Sequence, residues 1–206
     1  MKENLLIDED LRSLPNFSCE ELNLSANFFR KPNIKSVSDC EFINFSYNPI
    51  DITWLSNQNL NPVKGLSLIG CFELQEGVES ASIEIWEALG RNLSNLKKLK
   101  ISFLPPQIHR FLTSLCNGAL EENEFFAIEG NTDTLVELGN LEGLKVSTFT
   151  SCTFNRNALE GLVKVLKRTF SLEILNFHEI DFEDEEFSVI EEGIKGNFSL
   201  KQVNRK

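Results

Sequence analysis

The stretch CEELNLSANFF, Cys19 to Phe29, returns 21 residues later as CEFINFSYNPI, Cys40 to Ile50. A near-copy at a fixed interval constrains the fold more than any composition figure. One supersecondary unit repeated along a chain builds a stack, not a globule around one centre. The shared frame has apolar residues at positions 1, 4 and 6 and Asn or Cys at position 9. Cys19, Leu22, Leu24 and Asn27 fill it, then Cys40, Ile43, Phe45 and Asn48, then Val63, Leu66, Leu68 and Cys71. Leu96, Leu99, Ile101 and Leu104 follow, and a degenerate copy reads from Asn123 through Phe126, Ile128 and Asn131. The two longest copies, LKVSTFTSCTFNRNALEGLVKVLKRTFS from Leu144 and LEILNFHEIDFEDEEFSVIEEGIKGNFS from Leu172, align over 28 residues without a gap. Leu200 with Val203 opens one more.

Positions 4 and 6 alternate with more polar neighbours, the period-2 pattern of a short strand with one buried face. Such a strand cannot bury that face alone, so each copy is completed by the next. Position 9 must turn the chain out of the strand. Asn does so by bonding to nearby backbone, and Cys substitutes as a small buried residue. Between the later strands the spacing predicts helices. NALEGLVKVLKRTF sets Leu159, Leu162, Val163 and Leu166 on one face, with Lys164, Lys167 and Arg168 towards the C-terminal end that favours cations. The following copy has Phe187, Ile190 and Ile194 as its stripe behind the acidic start Glu183 to Glu186, and Gly196-Asn197 as its stop. SASIEIWEALGRN predicts another helix, as does PPQIHRFLTSLCNG, from Pro106 to Asn117-Gly118. The first two returns are too short for a full helix and predict a turn or a 3₁₀ segment.

The frame L-x-x-L-x-L-x-x-N/C followed by a helix resembles the leucine-rich repeat proteins. The 28-residue copies are similar to the ribonuclease-inhibitor type of that repeat. Asn123 at an apolar position and Phe in place of Leu depart from the pattern. The resemblance implies an α/β fold: a leucine-rich repeat solenoid, a right-handed horseshoe with a parallel β-sheet on the concave face and helices and turns on the convex face. It implies an N-terminal cap over 1–18 and a repeat domain over 19–206, with frames starting near 19, 40, 63, 96, 123, 144, 172 and 200. Eight strands about 4.8 Å apart would span roughly 35 Å along the stack.

In such a stack positions 3, 5 and 7 point away from the core. Reading those columns selects Phe42, Asn44, Ile69, Lys98, Lys100, Phe125, Glu129, Val146, Thr148, Ile174, Asn176 and His178 as the partner-contacting set. Phe42, Ile69, Phe125, Val146 and Ile174 are apolar where a merely solvated face would be polar, and exposed apolar patches mark interaction sites. The bland alternative is that β-branched and aromatic residues simply suit strands.

The other signals exclude more than they assert. The 206 residues carry a formal charge of -11, which argues against phosphate-backbone binding and so against a nucleic-acid partner. Five cysteines without a CxxC pair argue against a disulfide framework and against zinc. No apolar run is long enough for a membrane helix, no secretory leader opens the chain, and the N-x-S/T triplets read as chance in an Asn- and Ser-rich composition. No nucleotide or hydrolase fingerprint is present. His109 and Cys116, seven residues apart on one helix, stand about 10 Å apart along its axis, too far for a dyad. His178 and Cys152 fall on opposite sides of the frame. The acidic run Glu183, Asp184, Glu185, Glu186 lacks the alternating ligands of a calcium loop.

The chain therefore reads as a non-enzyme without cofactor or metal that binds a protein partner. The rival is a scaffolding repeat forming a homodimer through the strand opened at Leu200, which no later repeat covers. The acidic FEDEEFSVIEEG and the closing NRK resemble the glutamate-rich C-terminal signals of type IV secreted bacterial effectors. That resemblance implies translocation into a host cell; a cytoplasmic protein is the competing reading.

Overall fold

Alternating burial and left-handed turns recur once per frame, and together they build a stack of parallel rungs. The computed structural model describes residues 5–12, 18–33, 35, 39–72, 82–102, 108–115, 119–130, 135 and 138–206. One all-parallel sheet runs β1 (Glu21–Asn23), β2 (Phe42–Asn44), β3 (Gly65–Leu68), β4 (Lys98–Ser102), β5 (Glu122–Phe126), β7 (Val146–Thr150), β9 (Ile174–His178) and β10 (Gln202–Arg205). A satellite pair joins β6 (Glu129–Gly130) to β8 (Thr153–Phe154). This is the α/β architecture of a leucine-rich repeat solenoid, each strand followed in space by the strand of the next frame.

Position 4 forms a straight column across the sheet: Leu22, Ile43, Leu66, Leu99, Asn123, Ser147, Leu175, Val203. The register corrects one expectation. Asn123 pairs with Leu99 and Phe125 with Ile101, so the fifth frame opens at Leu120, 24 residues after Leu96, and not at Asn123. The error is an odd number of residues, and in a strand an odd slip exchanges the two faces. The run Phe125-Phe126-Ala127-Ile128 is apolar throughout, so alternation did not reveal its phase.

Position 6 becomes an aromatic column towards the C-terminal end. Phe125 stacks on Phe149 at 5.7 Å and Phe149 on Phe177 at 5.9 Å, with Phe154 and Phe182 packed edge-on or tilted behind them. Aromatic pairs of this kind contribute roughly 0.5–1.5 kcal/mol each beyond burial. Arg205 holds the corresponding place in β10. Its guanidinium lies 5.0 Å from the Phe187 ring and 5.9 Å from that of Phe182, and donates to the Phe182 carbonyl at 2.7 Å. A cation thus closes the aromatic column on the β10 side.

Each strand is left by the same backbone device. Position 8 is left-handed in every frame where it is described, with φ between 52° and 67° at Ala26, Tyr47, Gly70, Ala127, Ser151 and Glu179. Where position 9 is Asn or Cys its side chain then bonds backbone, as expected, while Ile128 and Ile180 fill the same place by burial. Asn48 donates to the Phe45 carbonyl of its own rung at 2.8 Å and to that of Leu24 in the rung before at 2.9 Å. The thiols of Cys71 and Cys152 donate to the preceding rung's carbonyls, Phe45 at 3.1 Å and Phe125 at 3.3 Å. Residues ahead of the first strand join the same stack. Leu6 donates its N–H to Asn27 and accepts from Phe28, the Asp8 carboxylate accepts from the N–H groups of Arg30 and Lys31, and Leu11 of α1 (Asp8–Arg12) is buried.

Helices return the chain: α2 (Ile52–Ser56), α3 (Ile83–Asn92), α4 (Ile108–Ser114), α5 (Arg156–Arg168) and α6 (Asp184–Lys195). Asp51 and Asn155 cap α2 and α5 by accepting from Trp54 and Ala158 N–H. The stripe Leu159, Leu162, Val163, Leu166 is buried, and Ile190 is buried between half-buried Phe187 and Ile194. The second return holds a one-turn α-helix where a turn or 3₁₀ segment was expected. Neighbouring helices approach closely. A Cβ added at Gly90 of α3 would come within 2.8 Å of the Phe111 carbonyl oxygen in α4. Leu104, Pro106, Cys116, Asn117, Gly118 and Asn131 lie outside the described residues.

Candidate functional site

The face of the sheet opposite the helices carries positions 3, 5 and 7. Phe42, Asn44, Ile69, Lys98, Lys100, Val146, Thr148, Ile174, Asn176 and His178 all occupy it and are half-buried. Two expected members do not. Phe125 is only 1% exposed and belongs to the core, because the fifth frame is shifted. Glu129 is exposed but lies beyond the bend, in β6 beside Thr153. In their place rung five presents Glu122, Glu124 and Phe126 outward.

That correction changes the chemistry of the face. Lys98 pairs with Glu122 at 2.7 Å and Lys100 with Glu124 at 2.8 Å, two adjacent cross-strand ion pairs at matching frame positions. Glu124 also accepts from the Thr150 hydroxyl at 3.2 Å. At the strand entrance Glu121 lies between Lys145 at 2.8 Å and Lys97 at 3.1 Å; the two ammonium groups, Lys145 foremost, hold its carboxyl below the usual range. Exposed pairs like these contribute little stability, so they set charge pattern more than strength. Further along, Asn204 donates to Asn176 at 2.7 Å, and Asn176 to the Thr148 hydroxyl at 3.0 Å. The position-5 column is thus hydrogen-bonded across three rungs.

Phe42 is no free-standing anchor either. Its ring lies over Gly65, where an added Cβ would sit 2.5 Å from Cδ2, and the Lys98 ammonium stands 5.9 Å from the ring centroid. The missing side chain at Gly65 makes the notch that the ring fills. Val146 and Ile174 are register partners at position 3, so they form a small apolar step beside the Lys–Glu pairs. A depression of about 100 Å³ lies between these groups, lined by Lys98, Lys100, Glu122, Glu124, Val146 and Thr148.

Other features lie off this face. Phe170 and Phe198 are 81% and 95% exposed and occupy the same place in consecutive 28-residue copies, just before frame position 1. The recurring F-S-L triplet signalled them, but reading only the strand frame left them out. Phe170 borders a hollow of about 610 Å³ with Leu141, Glu142 and Arg168. Burial pushes the Cys152 thiol up, which disfavours a nucleophilic thiolate. Among the described residues no three His, Cys, Asp or Glu side chains stand together as a metal site would need, and no helix is long and apolar enough to cross a membrane.

No family model matches the chain, and no curated protein does. Among solved structures it is similar to an internalin (inlF) from Listeria monocytogenes, with 16% identity and a TM-score of 0.29 over 96% of this chain and 83% of that one. At those values the likeness adds nothing to an architecture that already stands on the strand register.

Proposed function

We propose that the chain is a non-enzymatic protein-interaction module that docks a protein partner on the outward face of its sheet. The observation behind this reading is the ordered outward ladder. Half-exposed side chains at positions 3, 5 and 7 stand in register from β5 to β9, with Lys98 and Lys100 of β4 beside them and Ser46, Ser67 and Ser102 of the same columns buried, and the helices cover only the other face. Extended repeat surfaces of this kind suit protein recognition. Within it, the Val146–Ile174 step beside the Lys98–Glu122 and Lys100–Glu124 pairs offers apolar area rimmed by charge, the composition of a docking site.

The test compares the proteins retained by the wild type with those retained by a Val146→Asp/Ile174→Asp variant and by a control, Lys164→Asp, at an exposed position of α5. Loss of the same partner from the first variant alone, with its melting temperature kept, supports the reading. Equal retention by all three removes it.

The rival reading, assembly through the edge strand β10, is disfavoured by that strand's own residues. Arg205 lies in it with its guanidinium turned onto Phe182 and Phe187, and Lys201 and Lys206 flank it; inward-pointing and flanking charges of this kind blunt edge-to-edge pairing.

The finer part of the proposal makes the chain a translocated effector acting on a host protein, and rests on the acidic residues of the last repeat. Here α6 has its own use for two of them: Glu183 and Glu186 form a reciprocal capping box at its start. A translocation reporter with and without residues 183–206 decides; equal signal would leave those acids as helix caps alone.

A further inference from the structure

Cys19 and Cys40 both hold frame position 1, in the first and second rungs, and their sulfurs lie 3.0 Å apart, Cys19 donating to Cys40. Both are thiols. The other cysteines among the described residues, Cys71 and Cys152, stand at position 9 and donate to carbonyls instead. The backbone holds the pair in place from both sides. The Cys19 carbonyl accepts from Glu41 N–H at 3.0 Å, the Ser18 hydroxyl donates to the Asp39 carbonyl at 3.2 Å, and Glu21 and Phe42 are register partners two residues on. Adjacent parallel strands lie about 4.8 Å apart, inside the roughly 4.4–6.8 Å Cα window that a disulfide spans. The bridge therefore needs only side-chain rotation.

We propose that Cys19 and Cys40 are a redox site that a small-molecule disulfide of the glutathione class converts into a staple between the first two rungs. Cys19 is half-buried and Cys40 is 1% exposed, so the reagent meets Cys19 first. The Cys19 thiolate attacks one sulfur of the reagent, the reagent's S–S bond breaks, and one small thiol leaves. Cys40 then loses its proton to water and attacks Cys19, forming the Cys19–Cys40 bond and expelling the second small thiol. Two electrons and two hydrogens pass from the protein to the reagent. Burial, with Cys19 alongside, pushes the Cys40 thiol up to about 11, which makes the second step slow at neutral pH and faster in alkali. An odd cysteine count argues against a framework of bridges, and is compatible with one.

The staple would act where the stack is weakest. Strand β1 is three residues long and forms one edge of the sheet, and array ends open most readily. Closing the loop between residues 21 apart restricts the unfolded chain.

The experiment treats the full chain with oxidised glutathione or with a phosphine reductant, followed by intact mass, peptide mapping and hydrogen exchange. The expected result is loss of two hydrogens, a Cys19–Cys40 linked peptide, and amide exchange in Glu21–Asn23 slowed about tenfold or more relative to the reduced chain. Cys40→Ser should stop at a glutathione adduct on Cys19. A wild-type chain that keeps the adduct without closing at alkaline pH, or that links either cysteine elsewhere, would overturn the proposal. Mapping the wild type needs no variant to fold, and neither readout depends on the docking face.

Discussion

Asn123 is the residue of the position-4 column whose replacement should strengthen the protein most. It sits between Leu99 and Ser147, is 4% exposed, and neither its amide nitrogen nor its amide oxygen has a hydrogen-bond partner. Burying a polar side chain without a partner costs about 1–3 kcal/mol. Leucine keeps asparagine's branching and heavy-atom count with bulkier methyl groups, so Asn123→Leu adds about 1.5–3 kcal/mol of apolar burial less a packing cost, which the small Ser147 beside it limits. The neighbouring Ser147 hydroxyl, also without a partner, remains against the new side chain, so the lower part of each range applies. The net gain is about 2 kcal/mol. For a chain of 206 residues this raises the melting temperature by about 4–8 °C. Thermal and urea melts followed by circular dichroism measure it, with Ser147→Ala giving a smaller gain of the same sign. A melting temperature that stays put or falls in Asn123→Leu would show that the amide is satisfied in solution, and the accounting for this column would fail.

Phe125→Asp should unfold the chain or lower its stability by several kcal/mol, because a carboxylate would enter the aromatic column; Phe126→Asp, one residue on, should melt within a few degrees of wild type. Similar melts for the two would refute the register of rung five. Gly90→Ala raises helix propensity by up to about 1 kcal/mol, yet the contact with the Phe111 carbonyl forces α3 from α4; a net loss of about 1–3 kcal/mol is expected in urea titrations. The Cys40 thiol, raised from 9.0 to about 11, favours the folded state while protonated. That contribution is complete below pH 9 and disappears as the pH rises towards 11, so Cys40→Ala should show a shallower decline of urea midpoint across that window.

What the residues disclosed, and what they hid, follows from how strongly each position is constrained. Core positions recur because a wrong residue there exposes or buries the wrong group, so Leu22, Ile43, Leu66 and Leu99 announced their column, and Asn48 and Cys152 their bends. Rung five broke the rule at the residue that marks the phase. With Asn123 inside and Phe126 outside, polarity pointed the wrong way, and only hydrogen-bonded register resolves it. The outward pairing of Lys98 and Lys100 with Glu122 and Glu124 was written in the sequence at matching frame positions, but stayed hidden while the phase was wrong. The sulfur contact between Cys19 and Cys40 was equally open to a column reading, since both occupy position 1. Fractional burial was not. Phe42 becomes half-buried through the notch at Gly65 in the next rung, a neighbour effect that no single frame displays.

The left-handed residue at position 8 has a consequence for how such a chain can change length. Every copy whose position 8 is described makes the same reversal one residue before position 9, although the stretch returning to the next strand differs widely from copy to copy. Residues gained or lost inside a strand would move the reversal off its place and turn core side chains towards solvent. Residues gained or lost in the return segment leave both untouched. Lineages of this protein should therefore vary freely in those outer loops while the nine-residue cassettes stay fixed in length, and a chain with an added rung should have acquired a whole cassette carrying its own reversal.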